Sequence, residues 1–363
     1  MEPHKINLPT CDCCDGVHDE RRMPRREFFT AAGGAVLGAS AIGTILPAGR
    51  VWAKPKESVA SAAEKAPESL VNVLYETLSP KQKETICFPW DHQDAKLGLL
   101  RTRISANWNI TEPFVGDRDF YTDDQQKIIR GIFEGIISPD WHKRIDKQLD
   151  DDAGGYGVQN SIAIFGKPGS EKCEFVMTGR HMTIRCDGNT ADHVAFGGPI
   201  FYGHAADGFN EGPLHKGNVF WPQAEAANKL YQMLDSKQQE QALVRKGLPA
   251  ESKVGFRGKK GDFLGLPVTE LSSDQKEHLQ KVMAMLVEPY RQSDRDEVTK
   301  CLKSQGGLDA CHLAYFSQQD IGKDKVWDIW RIEGPSFVWH YRGAPHVHVW
   351  VNVADDPSVK LNA

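Results

Sequence analysis

Apolar residues recur at helical spacing early in the chain and at strand spacing in its middle and at its end. Leu70, Val73, Leu74 and Leu78 fall on one helical face, and Ile128, Ile129, Ile132, Phe133, Ile136 and Ile137 do so behind Thr122-Asp-Asp-Gln125, a capping-box pattern. Both stretches predict amphipathic helices. Ser138-Pro139 supplies an N-cap and a first-turn proline for another helix through Leu149. From Gly154 the period shortens to two, which predicts strands over 161–165, 174–177, 182–185 and 194–202. Helical spacing returns over 224–234 and, beyond the Gly/Lys-rich stretch 255–261, at Leu279, Val282, Met283, Leu286 and Val287. Strands close the chain over 313–316, 326–332, 336–341 and 346–353. Helices in blocks and hairpin-length strands, without regular alternation, predict an α+β fold: a mainly antiparallel sheet flanked by amphipathic helices. No internal repeat is read.

Composition narrows the partners. The formal net charge is -5 over 363 residues, so no basic excess recommends nucleic acid or an anionic membrane. Residues 24–53 carry Arg25-Arg26, Phe28-Phe29, an Ala/Gly-rich apolar run to Leu46 and a small-residue end at Ala53, the pattern of a twin-arginine export signal. Gly33, Gly34, Gly38 and Gly43 dilute the hydrophobicity that a stable span of about 20 residues needs. The expected organisation is a signal peptide over 1–53, a linker rich in Ala, Lys, Glu and Pro over 54–68, and a single α+β domain over 69–363. Removing 1–53 takes away six basic and six acidic residues and leaves the net charge unchanged. The expected location is the periplasm or the exterior, with no membrane contact after cleavage.

Cysteine usage fits that compartment. Cys11, Cys13 and Cys14, with His18 nearby, have soft-metal spacing but precede the cleavage point and are read as part of a discarded leader. Five cysteines remain. Cys173 with Cys186 across a hairpin, and Cys301 with Cys311, are the expected disulfides, leaving Cys87 as a buried thiol.

The candidate chemistry sits at the C-terminal end. Strand side chains alternate between faces, so His346 and His348 share one. A tight turn at Arg342 to Pro345 with an even register sum sets His340 opposite His348, with Cβ atoms roughly 5 Å apart. His181 joins them if the middle and final strands share a sheet. Neutral imidazole is the commonest ligand for zinc, copper and iron, so His181, His340, His346 and His348 are the expected metal ligands, with copper or zinc as the metal. The bland alternative is a set of half-exposed polar residues on a solvated strand. His204 and His215 lie in Gly-rich stretches and are read as loop surface residues. Glu333 is open to two readings, a carboxylate that orients an imidazole or an ion-pair partner of Arg331. Trp327, Trp330, Trp339 and Trp350 are read as core, with a pocket wall for a saccharide or aromatic small molecule as the alternative. The chain contains no nucleophile elbow, phosphate-binding loop or dinucleotide fingerprint.

The segments Ser161-Ile-Ala-Ile-Phe-Gly-Lys-Pro, Gly179-Arg-His181-Met-Thr-Ile, Pro199-Ile-Phe-Tyr-Gly203, Arg331-Ile-Glu333-Gly-Pro335-Ser-Phe and His346-Val-His348-Val-Trp350, in that order, resemble one family. It is domain-of-unknown-function family 3500, whose members carry a Gly-His-His-Leu-Ser-type strand, a Pro-x-Phe-x-Gly segment and a terminal Asn-His-Ile-His-x-Val-Trp pattern. The resemblance implies that the family histidines fall on His181, His346 and His348, and its Glu-Gly-Pro on Glu333, Gly334 and Pro335. Two positions depart from the pattern: the first residue of the His-His pair is Arg180, and an acidic position after the Gly-Pro strand is His340. Two functions are carried forward. One is an exported metal-dependent enzyme, hydrolytic or oxidative; the other is a metal-free binding or accessory protein whose histidines are structural.

Overall fold

A computed structural model describes residues 66–188, 190–205, 217–250, 255–320, 326–359 and 361. The signal read at 1–53, nearly all of the linker and His215 lie outside the described residues. The helices are α1 (Pro67–Thr77), α2 (Pro80–Ile86), α3 (Asp123–Ile136), α4 (His142–Ala153), α5 (Trp221–Met233), α6 (Ser236–Ala242), α7 (Ser273–Val287) and α8 (Gln292–Ser304). Four of them start in capping boxes, at Ser79–Gln82, Thr122–Gln125, Asp235–Gln238 and Ser272–Gln275. The capping glutamines also bind one another: Gln82 Nε2 donates to Gln125 Oε1 at 2.8 Å, and Gln275 Nε2 to Gln238 Oε1 at 2.8 Å.

The strands are β1 (Cys87–Phe88), β2 (Gln93–Asp94), β3 (Gly98–Leu99), β4 (Ser161–Gly166), β5 (Cys173–Gly179), β6 (Met182–Cys186), β7 (Ile200–His204), β8 (Leu243–Val244), β9 (Leu266–Pro267), β10 (His312–Phe316), β11 (Ile329–Gly334), β12 (Phe337–Arg342) and β13 (Val347–Val353). One sheet runs β1-β4-β5-β6-β7-β13-β12-β11-β10-β8, with β9 beside β10. Its pairs are antiparallel except β1 with β4 and β8 with β10. The α+β class with a mainly antiparallel sheet is therefore what the chain adopts, and β7 paired to β13 joins the middle strands to the final ones.

That strand order reads the same from either edge, and so does the order of elements. Leaving aside β2 and β3 in one and β9 in the other, half one runs α1-α2-β1-α3-α4-β4-β5-β6-β7 and half two α5-α6-β8-α7-α8-β10-β11-β12-β13. The two are related by an approximate twofold axis at the central pair Ile200 and Val351. The expectation of no internal repeat is thus overturned. Leu74-Tyr75-x-x-Leu78-Ser79-x-Lys81-Gln82-x-Glu84 recurs as Leu230-Tyr231-x-x-Leu234-Asp235-x-Lys237-Gln238-x-Glu240, but the connections after it differ in length and composition. Matching the hairpins at Gly179 and Gly334 pairs His181 with Ser336.

The two faces of the sheet differ in chemistry. Ile162, Ile164, Phe175, Met177, Tyr202, Trp330, Trp339, Val349 and Val351 face the helices in the main core. The opposite face carries Glu174, Arg185, Arg331, Glu333, His340, Arg342 and His348, all buried. Trp330 and Trp339 are in the main core, and Trp350 is in a smaller core cluster with Ile104, Ala106 and Phe201 on the opposite face, as expected.

Three further expectations change. The strand read over 194–202 begins only at Ile200, because Ala195–Gly197 forms a turn and Gly197, Gly198 and Pro199 interrupt any earlier pairing. Short helices α2 and α6 and the polar α8 (QSDRDEVTKCLKS) have too weak an apolar stripe to be read from spacing. All five cysteines among the described residues are free. Phe175, not Cys173, lies opposite Cys186, which leaves the two sulfurs' residues on a diagonal, where Cα atoms are roughly 7–8 Å apart, too far for a disulfide. No helix among the described residues is long and apolar enough to cross a membrane.

Candidate metal centre

His181 occupies the two-residue turn between β5 and β6 with φ 53°, a left-handed conformation that histidine adopts more readily than most residues. Its N–H donates to Ala106 O at 2.8 Å, which fixes the turn against the segment covering the polar face. His348 lies on β13 opposite Gly203 of β7. A Cβ at Gly203 would stand 2.3 Å from Val347 O and 3.4 Å from His181 Cβ, so the missing side chain is what lets two histidines meet across an intervening strand. His346 precedes β13 by one residue and shares the face of His348.

The three imidazoles converge. His181 Nε2 is 3.0 Å from His348 Nε2, and His346 Nε2 is 2.9 Å from the same atom. One nitrogen from each ring lies within 4.8 Å of the others, and all three residues are buried. Bonds of 2.0–2.1 Å at tetrahedral angles would hold ligand nitrogens about 3.3 Å apart, so two of the three separations are within a few tenths of an ångström of that value. Among the described residues no fourth ligating group joins them. Three protein ligands with an open position is the composition of a catalytic zinc site.

Asp152 sets the orientation of His181. At the C-terminal end of α4, its Oδ2 is 2.8 Å from His181 Nδ1 and accepts from Gln148 Nε2 at 3.1 Å, while Oδ1 accepts from Ala205 N at 3.1 Å. Burial lowers the imidazole's pKa and outweighs the pull of Asp152, so the ring is neutral. Burial raises the carboxyl's pKa, but His181, Gln148 and Arg180 outweigh it and hold the group below the usual carboxylate range. The neutral ring then donates Nδ1–H to the carboxylate and turns its Nε2 lone pair to the other histidines.

Arg342 approaches from the other side. Its Nη2 is 2.7 Å from His348 Nδ1. A guanidinium only donates, and the same Nη2 is 3.1 Å from His348 Nε2, so Arg342 competes with a metal for both ring nitrogens of His348. Ligation through His348 Nε2 requires that nitrogen to be free of a proton and Arg342 to withdraw.

His340 is not brought into this group. β12 continues to Arg342, which pairs with Ile329 on one side and His348 on the other, so the turn begins later than expected and the register moves by two residues. His340 faces Trp350 instead, with ring centroids 5.6 Å apart, and is buried. His204 is not a surface residue either. It ends β7 fully buried, with Nε2 2.8 Å from Asp151 Oδ2 and Nδ1 accepting from Val219 N at 3.2 Å. Glu333 takes the ion-pair reading, since Arg257 Nε donates to it at 2.8 Å and Arg331 lies 4.0 Å away. Asp152 and Arg342 were not singled out by sequence. Asp151-Asp152 ends an amphipathic helix, where a carboxylate is ordinary.

At the positions related by the twofold axis, Ser336 replaces His181 and the β7 to β13 match puts Ala195 and Gly197 for His346 and His348. Only one of the two equivalent places carries imidazoles. No curated protein and no solved structure matches the chain. A family model described as a protein of unknown function (DUF3500) matches residues 60–352, most of the chain, and the protein belongs to that family.

Proposed function

We propose that this protein is an exported metal-dependent enzyme whose centre is His181, His346 and His348. The observation that carries the reading is three buried imidazoles meeting at their Nε2 atoms, one of them backed by a carboxylate. Zinc or copper suits an all-imidazole ligand set. Hydrolysis is favoured over oxidation because a metal held by these residues would supply Lewis-acid chemistry, and the Arg342 guanidinium, once withdrawn from His348, would be a nearby cation for a developing oxyanion. A small organic molecule is the substrate class, and the twin-arginine pattern at Arg25-Arg26 supports delivery to the periplasm or beyond.

A second reading rests on its own observation. The Nε2 separations near 3 Å and the contact of Arg342 with His348 also suit a metal-free hydrogen-bonded cluster in a binding or accessory protein. Metal analysis of protein purified from the periplasm separates the two. About one metal per chain, lost in His346→Ala and His348→Ala, supports the enzyme; a metal-free wild type that takes up neither zinc nor copper refutes it. Electron paramagnetic resonance distinguishes oxidised copper from silent zinc, and Arg25→Lys with Arg26→Lys tests the export route.

A further inference from the structure

The twofold design supplies an internal control for a second place on the polar face. In half one, Ala163 and Phe165 of β4 and Val176 of β5 are covered by Leu100, Trp108 and Ile110 from the segment between β1 and α3. Trp108 Nε1 donates to Thr183 Oγ1 at 3.1 Å and Ile110 N to Thr178 Oγ1 at 2.9 Å, so the plug is both apolar and hydrogen-bonded. In half two the matching positions are Ala314, Phe316 and Arg331, with His312 in place of Ser161 and Glu333 in place of Thr178. There the described residues border a cavity of about 240 Å³ lined by His312, Ala314, Phe316, Arg331 and Glu333. Where one half is plugged by a tryptophan, the other, among the described residues, is lined with charge.

The lining has two kinds of surface. Arg257 is held by Nε to Glu333 Oε1 at 2.8 Å and by Nη1 to Asp262 O at 2.6 Å, and among the described residues its Nη2 has no hydrogen-bond partner. Arg331 is fixed beside it by Nη2 donating to Ala250 O at 2.6 Å. His312 is stacked on Phe263 at 4.9 Å, and its buried Nδ1 has no partner among the described residues. At the rim, Leu248 and Leu264 are 38% and 47% exposed, large apolar side chains left in water beside a polar floor.

We propose that this cavity binds a small organic carboxylate with an apolar body, the acid group on Arg257 and the body between Leu248 and Leu264. With Nε and Nη1 already engaged, Arg257 offers Nη2 to one carboxylate oxygen, and its orientation is set before the ligand arrives. A phosphate dianion is disfavoured because Glu333 lies on the same floor. The volume, slightly below the range of drug-sized sites, suits a single ring or a short chain. The proposal is independent of any metal at the histidines, two strands away.

Benzoate and hexanoate, with benzamide as the neutral control, test it by calorimetry and saturation-transfer NMR on the full protein. At least one carboxylate is expected to bind, at least tenfold more tightly than benzamide. Arg257→Gln is expected to weaken that binding tenfold or more, and Leu264→Asp, which leaves the Arg257 to Glu333 pair intact, to do the same by repelling the anion. Failure of both acids to bind at millimolar concentration, equal affinity for acid and amide, or unchanged binding in either variant would overturn the assignment.

Discussion

Asp152→Asn is the substitution that best separates an oriented metal ligand from a merely buried histidine. The carboxylate accepts three hydrogen bonds, from His181 Nδ1 and Gln148 Nε2 on Oδ2 and from Ala205 N on Oδ1. Asparagine has one oxygen for these two sides. If the amide oxygen takes the Oδ2 side, the amide NH₂ meets Ala205 N–H and a buried donor is left unsatisfied, at a cost of about 1–3 kcal/mol. If it takes the Oδ1 side, His181 must accept at Nδ1, and its proton moves to the Nε2 atom that would ligate. Either way the melting temperature is expected to fall by about 2–6 °C. Metal affinity should drop about 10–100-fold, the usual cost of losing a carboxylate behind a histidine ligand. Competition against a chromophoric chelator measures the affinity, and calorimetry the stability. Asp151→Asn is the control, because its partner His204 stays outside the cluster. Should Asp152→Asn melt lower yet hold metal as tightly as wild type, Asp152 is only a structural acceptor and the centre has been misread.

Three further outcomes follow from the same coordinates. Gly203→Ala places a Cβ against backbone at Val347 O, so β7 and β13 must separate; thermal melting should drop by several degrees and metal content should fall with it. Arg342→Met removes a cation whose Nη2 lies 2.7 and 3.1 Å from the two ring nitrogens of His348 and competes with a metal for them, so metal binding should tighten tenfold or more by chelator competition, and unchanged affinity would refute the competition. Burial pushes the Glu297 carboxyl up to about 7 against the Phe196 N–H that it accepts, with Asp187 and Asp294 adding to the rise. A carboxyl whose folded value is raised contributes stability that is full below its unfolded value near 4.5 and is lost as pH climbs through about 7. Glu297→Gln should therefore flatten the stability profile over that window and gain about 1–2 kcal/mol at pH 8, after allowance for solvent contact; denaturant titrations that keep the wild-type slope would count against it.

The features legible in the sequence were those set by a few neighbouring residues. Thr122 and Gln125 announce α3 because the capping box closes within one turn, and His346 and His348 share a face because strand geometry leaves no choice. Register was less accessible. Arg342 reads as a turn residue beside Gly343, yet pairing with Ile329 keeps it in β12, and that single fact exchanges His340 for Arg342 opposite His348. Asp152 is 29 residues before His181 and reaches it only because α4 packs on β7, a contact with no local signature.

Duplication changes how the two candidate places are weighed. A fold made of two like halves needs most of its residues for the same purpose twice, and those positions stay similar in kind: Ala163 and Ala314, Phe165 and Phe316, Val115 and Val268, whose N–H groups donate to Asn160 O and Cys311 O. Packing alone gives no reason for His181 to differ from Ser336, or for Arg331 to stand where Val176 stands. A charged or titratable side chain in a buried position costs stability unless its partners are supplied, and here the partners, Asp152 for one and Glu333 for the other, are present in only one half. The imidazole cluster and the arginine-lined cavity are thus two places where the chain departs from its own symmetry at an energetic cost, the buried pair of Arg185 with Glu174, matched by His340 and Ile329, being a third, and a departure that stability does not require is the ground for testing the first two for function.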